Sequence, residues 1–191
     1  MRFVVFGAGA IGGVVGGRLH EHGHDVLLIA RRQHHDAIAA GGLRLESPEA
    51  SITLPLPVVR HPREVDFGPD DVILLAVKSQ DTADALRALA PVASPTVPVF
   101  CAQNGVENER LALRLFPNVY SLSVMCPTAH LLPGVVQAYS APTTGIMDLG
   151  RYPSGVDDIA TGVAAALRGS TFSSEALPDI GRWKYANRLL G

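Results

Sequence analysis

The first seventeen residues constrain the fold more than any other part of the chain. An apolar run, RFVVF, leads directly into GAGAIGG and then into a stretch compatible with a helix. This order places a G-x-G-x-x-G pattern between a buried strand and a helix, the context in which the pattern indicates dinucleotide binding. The first glycine makes a tight turn, the second admits a pyrophosphate, and the third lets the helix pack against the strand. The predicted loop has six residues: Gly7, Ala8, Gly9, Ala10, Ile11 and Gly12.

The same stretch carries more glycines than a phosphate site requires. Gly13, Gly16 and Gly17 fall within the predicted first helix, where each costs about 1 kcal/mol relative to alanine. They lie too far along the helix to contact a pyrophosphate, so we predict that they let the helix approach the sheet closely. A glycine-rich turn that binds no ligand is the alternative interpretation of the loop.

The rest of the chain alternates apolar strands with helical patterns. Strands are predicted at 2–6, 25–30, 70–77, 97–102 and 119–125, with helices between them, and residues 43–59 read as edge strands or a hairpin. This alternation predicts an α/β fold, a Rossmann-like doubly wound and mostly parallel sheet with helices on both faces. After residue 127 come short strands, a helix and a strongly helical end, which predicts that the chain is part of a longer one.

The end of the second strand bears on the choice of dinucleotide. An NAD site usually has Asp or Glu there to bind the ribose hydroxyls, but LLIARRQ has Arg31 and Arg32 instead. A guanidinium group matches a phosphate bidentately, so Arg31 is predicted to bind a 2′-phosphate and NADP(H) is the predicted cofactor. The alternative is that both arginines merely face solvent at the start of a helix.

Two polar residues follow later strands. Lys78 comes directly after DVILLAV, and Asn104 follows VPVFCAQ. Ligands of open α/β sheets bind beyond the carboxyl ends of the strands, so both side chains are predicted to border the cleft near the glycine loop. A solvated lysine and an ordinary Asn-Gly turn are the alternatives.

The composition argues against several other classes of protein. The 191 residues carry a formal net charge of −2, which predicts no nucleic-acid partner. No apolar run reaches the roughly 18 residues of a membrane span. The histidines lack a ligand spacing, so no metal site is predicted. Cys101 and Cys126 lack a C-x-x-C spacing, which predicts a reduced, cytoplasmic protein in which Cys101 is a buried apolar group.

Several motifs together resemble the ketopantoate reductase family. They are the strand–GAGAIG–helix unit, Arg31, AVKSQDT, CAQNGVENE, CPTAHLLPGVVQAY and GRWKYANRLLG. The resemblance implies NADPH-dependent reduction of a small 2-oxo acid, ketopantoate, to pantoate on the route to coenzyme A. It also implies a dinucleotide-binding domain over 1–176 and, at 177–191, the first helix of a helical substrate domain through which a homodimer would form.

The resemblance also implies roles for individual residues. Gly7, Gly9 and Gly12 would bind the pyrophosphate and Arg31 the 2′-phosphate. Lys78 and Asn104 would flank the nicotinamide ribose and the substrate, with residues 128–130 near the nicotinamide. Lys184, on the last helix, would protonate the carbonyl oxygen as hydride adds to the carbon. Two alternatives stay open: a paralogue that reduces another 2-oxo acid, and a non-catalytic module that senses NADP(H).

Overall fold

The computed structural model describes the backbone of residues 1–190 and the side chains of residues 1–186. Its strands, in chain order, are β1 Arg2–Phe6, β2 Asp25–Ile29, β3 Leu43–Glu46, β4 Ser51–Leu54, β5 Val58–Val59, β6 Asp71–Leu75, β7 Val99–Cys101, β8 Val119–Met125, β9 Thr128–Ala129, β10 Val135–Ala138, β11 Gly145–Arg151 and β12 Phe172–Ser173. Its α-helices are α1 Ala10–Glu21, α2 Arg32–Gly41, α3 Thr82–Leu89, α4 Asn108–Leu113, α5 Asp158–Arg168 and α6 Ile180–Leu190. Short 3₁₀ turns occupy Pro62–Glu64 and Ser79–Asp81.

The larger sheet has the strand order β5-β2-β1-β6-β7-β8-β11-β12. The strands from β5 to β8 are parallel, and β11 runs antiparallel to β8. Side chains of β1 alternate between two apolar cores, Phe3 and Val5 on one face and Val4 and Phe6 on the other. Burial on both faces explains why the parallel strands are continuous apolar runs. The predicted α/β fold with a doubly wound, mostly parallel sheet is confirmed.

A second, four-stranded sheet has the order β4-β3-β10-β9. The predicted hairpin is present as β3 and β4, which pair in antiparallel fashion. Of the two alternatives the hairpin is the one present, and β3 is not an edge strand, because β10 pairs with its other side in parallel register. The partner strand lies more than eighty residues further along the chain, as the pairing of Val135 with Arg44 shows.

Helix α1 lies between the two sheets, which explains its glycines. An alanine at Gly16 would place its Cβ 2.8 Å from Leu28 of the larger sheet. Alanine at Gly13 would place its Cβ 2.6 Å from Val136 of the smaller sheet, and Gly17 faces the same sheet. The predicted close approach of helix to sheet is therefore present on two sides, although the sequence pattern indicated only one sheet.

The end of the described chain packs back onto the larger sheet. Helix α6 lies against β8 and β11, and Ile180 near its start is fully buried. The assignment of 177–191 to a second domain stays a prediction, and Gly191 lies outside the described residues. None of the helices within residues 1–190 is long and apolar enough to cross a membrane.

Candidate functional site

The glycine loop lies at the carboxyl end of β1, where the strand order reverses between β2 and β6. Two adjoining cavities flank it. One, of about 540 Å³, extends toward the end of β2 and is here called the β2-side cavity. The other, of about 430 Å³, extends toward the end of β7 and is called the β7-side cavity. The two cavities have five lining residues in common: Gly9, Ala76, Val77, Lys78 and His130. This switch point is where open α/β sheets bind their ligands.

The glycines of the loop have different structural reasons. Gly7 has φ +103°, and a Cβ there would lie 2.7 Å from the backbone nitrogen of Val77. A Cβ on Gly12 would lie 2.0 Å from the carbonyl oxygen of Gly7, so Gly12 closes the loop without lining either cavity. Gly9 has no heavy atom within 4 Å of an ideal Cβ position. Its backbone and the amide-rich start of α1 therefore face open space, which suits an anion.

The predicted loop residues distribute over both cavities. Gly7 and Ala8 line the β2-side cavity, whereas Ala10 and Ile11 line the β7-side cavity. Gly9 lines both. The loop is thus the wall that the two cavities share, and a molecule that crosses it would have one half in each.

Arg31 and Arg32 are exposed and line the β2-side cavity. Within the described side chains, neither guanidinium group has an ion-pair partner. The first turn of α2 has no acidic residue, so cations stand at the positive end of a helix dipole. The lining also includes Asp81 and Lys78. The cavity therefore carries more positive than negative charge, which favours a bound anion.

Lys78 and Asn104 are brought together as expected. Both are exposed, and both line the β7-side cavity beside Gly9. Lys78 follows β6 and caps the Ser79–Asp81 turn, and Asn104 follows β7. In the part of the chain that the structure describes, neither side chain makes a hydrogen bond, so an ammonium group and a carboxamide are free to bind a ligand at one cavity.

A buried polar network supports these two loops. The Thr82 hydroxyl donates to Oδ1 of Asn108 at 2.8 Å, and Nε2 of Gln103 donates to the Thr82 oxygen at 2.9 Å. Nδ2 of Asn108 donates to the Gly105 carbonyl at 2.9 Å and to Ser79 Oγ at 3.3 Å. The network ties the loop after β7 to the start of α3. It thereby fixes the segments that carry Asn104 and Lys78.

His34 connects the glycine loop to the smaller sheet. The backbone amide of Gly134 donates to its Nδ1 at 2.9 Å, so the ring proton sits on Nε2, which donates to the Ala8 carbonyl at 2.6 Å. Burial lowers the pKa of His34, and the nearby His130 lowers it further, while the bond to Ala8 acts in the opposite direction. The ring of His130 packs 4.0 Å from that of His34, centroid to centroid. His34 therefore holds the loop as a neutral imidazole.

The role of Lys184 as a proton donor stays a prediction, and its side chain lies apart from the other predicted site residues. Its side chain is buried, and Nζ lies 2.5 Å from Oε1 of Glu109 and 3.4 Å from the Cys101 carbonyl oxygen. The same Glu109 oxygen accepts a hydrogen bond from Ser121 at 2.7 Å. Lys184 lines neither cavity. Because the buried carboxylate of Glu109 needs a countercharge and α6 packs on β8, the lysine serves this ion pair rather than the cleft that holds Lys78.

Comparison with known proteins places this geometry in a family. A family model described as ketopantoate reductase PanE/ApbA matches residues 3–153. The chain belongs to the ketopantoate reductase family. The matched part of this ketopantoate reductase domain contains the glycine loop, Arg31, Lys78, Asn104 and His130, and it ends before Lys184.

Individual relatives agree with that assignment. The 2-dehydropantoate 2-reductase of Pyrococcus horikoshii is 30% identical over 190 residues, which cover 100% of this chain and 60% of the relative. A ketopantoate reductase of the same family from Ralstonia eutropha has a TM-score of 0.87 at 30% identity, covering 100% of this chain and 61% of that one. A D-mandelate dehydrogenase in a ternary structure with NADH and anilino(oxo)acetate has a TM-score of 0.86 at 26% identity, covering 98% and 60%. The chain spans about 60% of the length of these relatives.

Sequence reasoning missed His34, Gln103 and Asn108. The histidines were considered only as metal ligands, and the partners of His34 lie 26 and 100 residues away. Gln103 and Asn108 flank the predicted Asn104 within the motif CAQNGVENE. That motif contained a signal, since polar residues so close to an apolar strand need partners when they are buried.

Acidification is expected to weaken the His34 contacts. A histidine whose pKa is lowered on folding contributes stability that is complete above about pH 6.5 and is lost as the pH falls below that value. For one group the slope is at most about 1.4 kcal/mol per pH unit. The His34→Gln variant keeps a donor and an acceptor but does not titrate. Urea unfolding of this variant between about pH 7.5 and about pH 5.5 should show a smaller loss of stability than the wild type. Equal pH dependence in the wild type and His34→Gln would show that His34 does not titrate as its contacts imply.

Proposed function

We propose that this chain is the NADP(H)-binding part of a reductase that converts the ketone of a small 2-oxo acid, 2-dehydropantoate first, to the alcohol. The observation that carries the proposal is the pair of exposed guanidinium groups of Arg31 and Arg32 beside the glycine loop in the β2-side cavity, neither of which has an ion-pair partner among the described side chains. A 2′-phosphate is the dinucleotide group that matches such a pair. Membership in the ketopantoate reductase family supports the reaction class.

The residues present fit a dinucleotide that crosses the loop. Gly9 leaves the space that a side chain would fill, and the start of α1 offers backbone amides to a pyrophosphate. Arg31 would bind the 2′-phosphate in the β2-side cavity. The nicotinamide half would then enter the β7-side cavity, where Lys78 and Asn104 are located.

The reduced nicotinamide supplies hydride when it is bound. The residues of this chain then have to stabilise the negative charge that develops on the carbonyl oxygen. Lys78 lines the β7-side cavity, where its ammonium group would bind the carbonyl oxygen of a 2-oxo acid and donate the proton that this oxygen needs once hydride has added to the carbon. The Asn104 amide would orient the same substrate or the nicotinamide ribose. Lys184 does not enter this mechanism, because Glu109 and the Cys101 carbonyl hold its ammonium group.

A second candidate is reduction of a different 2-oxo acid with NADH. The D-mandelate dehydrogenase neighbour has the same fold and is described with NADH and anilino(oxo)acetate. Asp81 in the lining of the β2-side cavity could accept hydrogen bonds from ribose hydroxyls, as an NAD site requires. The two candidates differ in cofactor preference and in the substrate side chain.

Cofactor binding tests the proposal. We expect NADPH to bind the purified chain more tightly than NADH by at least about 10-fold. In Arg31→Ala, NADPH binding should weaken by about 10- to 100-fold with NADH binding unchanged, because a charge-assisted contact to phosphate is lost. Isothermal titration calorimetry of the wild type and of Arg31→Ala measures the affinities for NADPH and for NADH. Arg44→Ala, which removes an exposed arginine paired with Glu46 on β3, is the control.

The outcomes separate the candidates. Equal affinity for NADPH and NADH, or no effect of Arg31→Ala, would contradict the NADP(H) assignment. NADPH oxidation with 2-dehydropantoate, in preference to 2-oxo acids with aromatic side chains, supports the first candidate. The reverse preference supports the second, and tight binding without oxidation of either cofactor by the full-length protein would indicate a sensing module.

A further inference from the structure

Gln103 combines burial with an unsatisfied polar atom at the cleft. Its side chain is 6% exposed and lines the β7-side cavity beside Asn104. Within the described side chains, Oε1 of Gln103 is one of three buried polar atoms without a hydrogen-bond partner, the others being on Arg18 and Ser170. Of these three residues, Gln103 is the one that lines a cavity at the glycine loop.

The orientation of the Gln103 amide follows from its network. The Gly105 carbonyl can only accept, so the Asn108 atom beside it must be the Nδ2 donor. Oδ1 of Asn108 therefore faces Thr82, whose single hydroxyl proton is donated to it. Thr82 Oγ1 must then accept its other bond, so the Gln103 atom that faces it is Nε2. Each step is forced by donor and acceptor types, and the carboxamide oxygen of Gln103 is left as the free end.

A buried acceptor without a partner costs free energy that a bound donor would recover. The cavity beside Gln103 is the place from which such a donor would come. In the proposed function Arg31 binds the 2′-phosphate, so the adenosine half of the dinucleotide would lie in the β2-side cavity. The pyrophosphate would then lie at the loop beside Gly9. The β7-side cavity then receives the nicotinamide and its ribose, which offer carboxamide N–H and hydroxyl O–H donors.

We propose that Oε1 of Gln103 accepts a hydrogen bond from an N–H or O–H donor on the nicotinamide-ribose half of the cofactor. This inference rests on the proposed function, since it takes the dinucleotide to be the ligand. Gln103 is thus a cofactor-binding residue, whose orientation is set by Thr82 and Asn108. The bond selects for the nicotinamide half alone and contributes nothing to binding of the adenosine half.

The experiment compares two ligands by isothermal titration calorimetry on the same chain. NADPH contains both halves of the cofactor, and adenosine 2′,5′-bisphosphate lacks the nicotinamide half. In Gln103→Met, which keeps the length of the side chain and removes the acceptor, NADPH binding should weaken by about 5- to 15-fold. Binding of adenosine 2′,5′-bisphosphate should stay within about 2-fold of the wild type.

A second variant distinguishes a direct contact between Gln103 and the cofactor from a purely structural role of the polar network. Thr82→Val removes the tether that orients the Gln103 amide but keeps the carboxamide oxygen on the side chain, so NADPH binding should weaken by less than in Gln103→Met. Equal weakening in both variants would overturn the direct contact in favour of a purely structural network. Unchanged NADPH binding in Gln103→Met, or equal loss of both ligands, would overturn it as well.

Failure of the proposed NADP(H) binding can be distinguished from failure of the inference about Gln103. If the wild-type chain binds neither NADPH nor adenosine 2′,5′-bisphosphate, the NADP(H) assignment fails and the inference with it. If the wild type binds both and Gln103→Met binds both equally well, only the inference about Gln103 fails.

Discussion

Replacing Gly12 with alanine is expected to lower the free energy of unfolding by about 3 kcal/mol or more. The new Cβ would lie 2.0 Å from the Gly7 carbonyl oxygen and 2.9 Å from the Cβ of Ala76. The nearest atom belongs to backbone, which cannot move aside as the end of a flexible side chain can. The gain of about 1 kcal/mol in helix propensity is too small to offset the clash. Urea denaturation followed by circular dichroism measures the loss.

Gly9→Ala is the matched control, because it makes the same chemical change three positions earlier. No heavy atom lies within 4 Å of an ideal Cβ there, and φ of −72° suits alanine. The free energy of unfolding should therefore change by less than about 0.5 kcal/mol. NADPH binding should nevertheless fall, because the methyl group occupies the space left for a phosphate. Equal destabilisation by both substitutions would contradict the loop geometry described here.

The glycine loop and the mostly parallel character of the larger sheet could be predicted because their signals are local. Strand, loop and helix follow one another within the first twenty-one residues, and the apolar runs of β1, β2 and β6 mark strands buried on both faces. The preference for right-handed crossovers then limits the arrangement of parallel strands. The same reasoning placed Arg31, Lys78 and Asn104 beside the loop, since each lies two or three residues beyond the carboxyl end of a parallel strand.

The contacts that connect distant segments could not be predicted. The smaller sheet joins β3 to β10, and His34 joins the loop to Gly134 across 100 residues. The hydrophobic periodicity of the sequence indicates which face of a strand is apolar, but it does not indicate which other strand pairs with that strand. Lys184 shows the same limit, because its partner Glu109 is 75 residues away. The sequence predicts a role for Lys184 in the reaction but gives no sign of its ion pair with Glu109.

Helix α1 explains why the first stretch of sequence needs glycines for two different purposes. The loop glycines serve the tight turn and leave the open space at Gly9 that the proposed cofactor would enter, whereas Gly13, Gly16 and Gly17 serve a helix enclosed by two sheets. His34 of α2 contacts the loop at Ala8, His130 packs on His34, and α1 packs against β9 and β10 of the smaller sheet beside them. The packing of α1 is therefore part of how the candidate site is positioned.

Removing the ammonium group of Lys184 is expected to have the other large effect. Lys184→Met should lower the free energy of unfolding by about 3 to 5 kcal/mol, because it leaves the buried carboxylate of Glu109 without a countercharge. Both side chains are nearly inaccessible, at 4% and 2% exposure. The exposed pair of Arg87 and Asp84 is the control, where Arg87→Met should cost less than about 1 kcal/mol.

A double variant identifies the cause of that loss. Combining Lys184→Met with Glu109→Gln removes both charges, so the double variant should recover part of the stability that Lys184→Met loses. Urea denaturation of the wild type, the two single variants and the double variant gives the coupling energy between the two side chains. NADPH binding by folded Lys184→Met should match the wild type, because Lys184 lines neither cavity. A Lys184→Met variant that is as stable as the wild type but loses only reductase activity would instead restore Lys184 as the proton donor. The stability measurement therefore decides between a lysine that holds α6 on the sheet and one that takes part in the reaction.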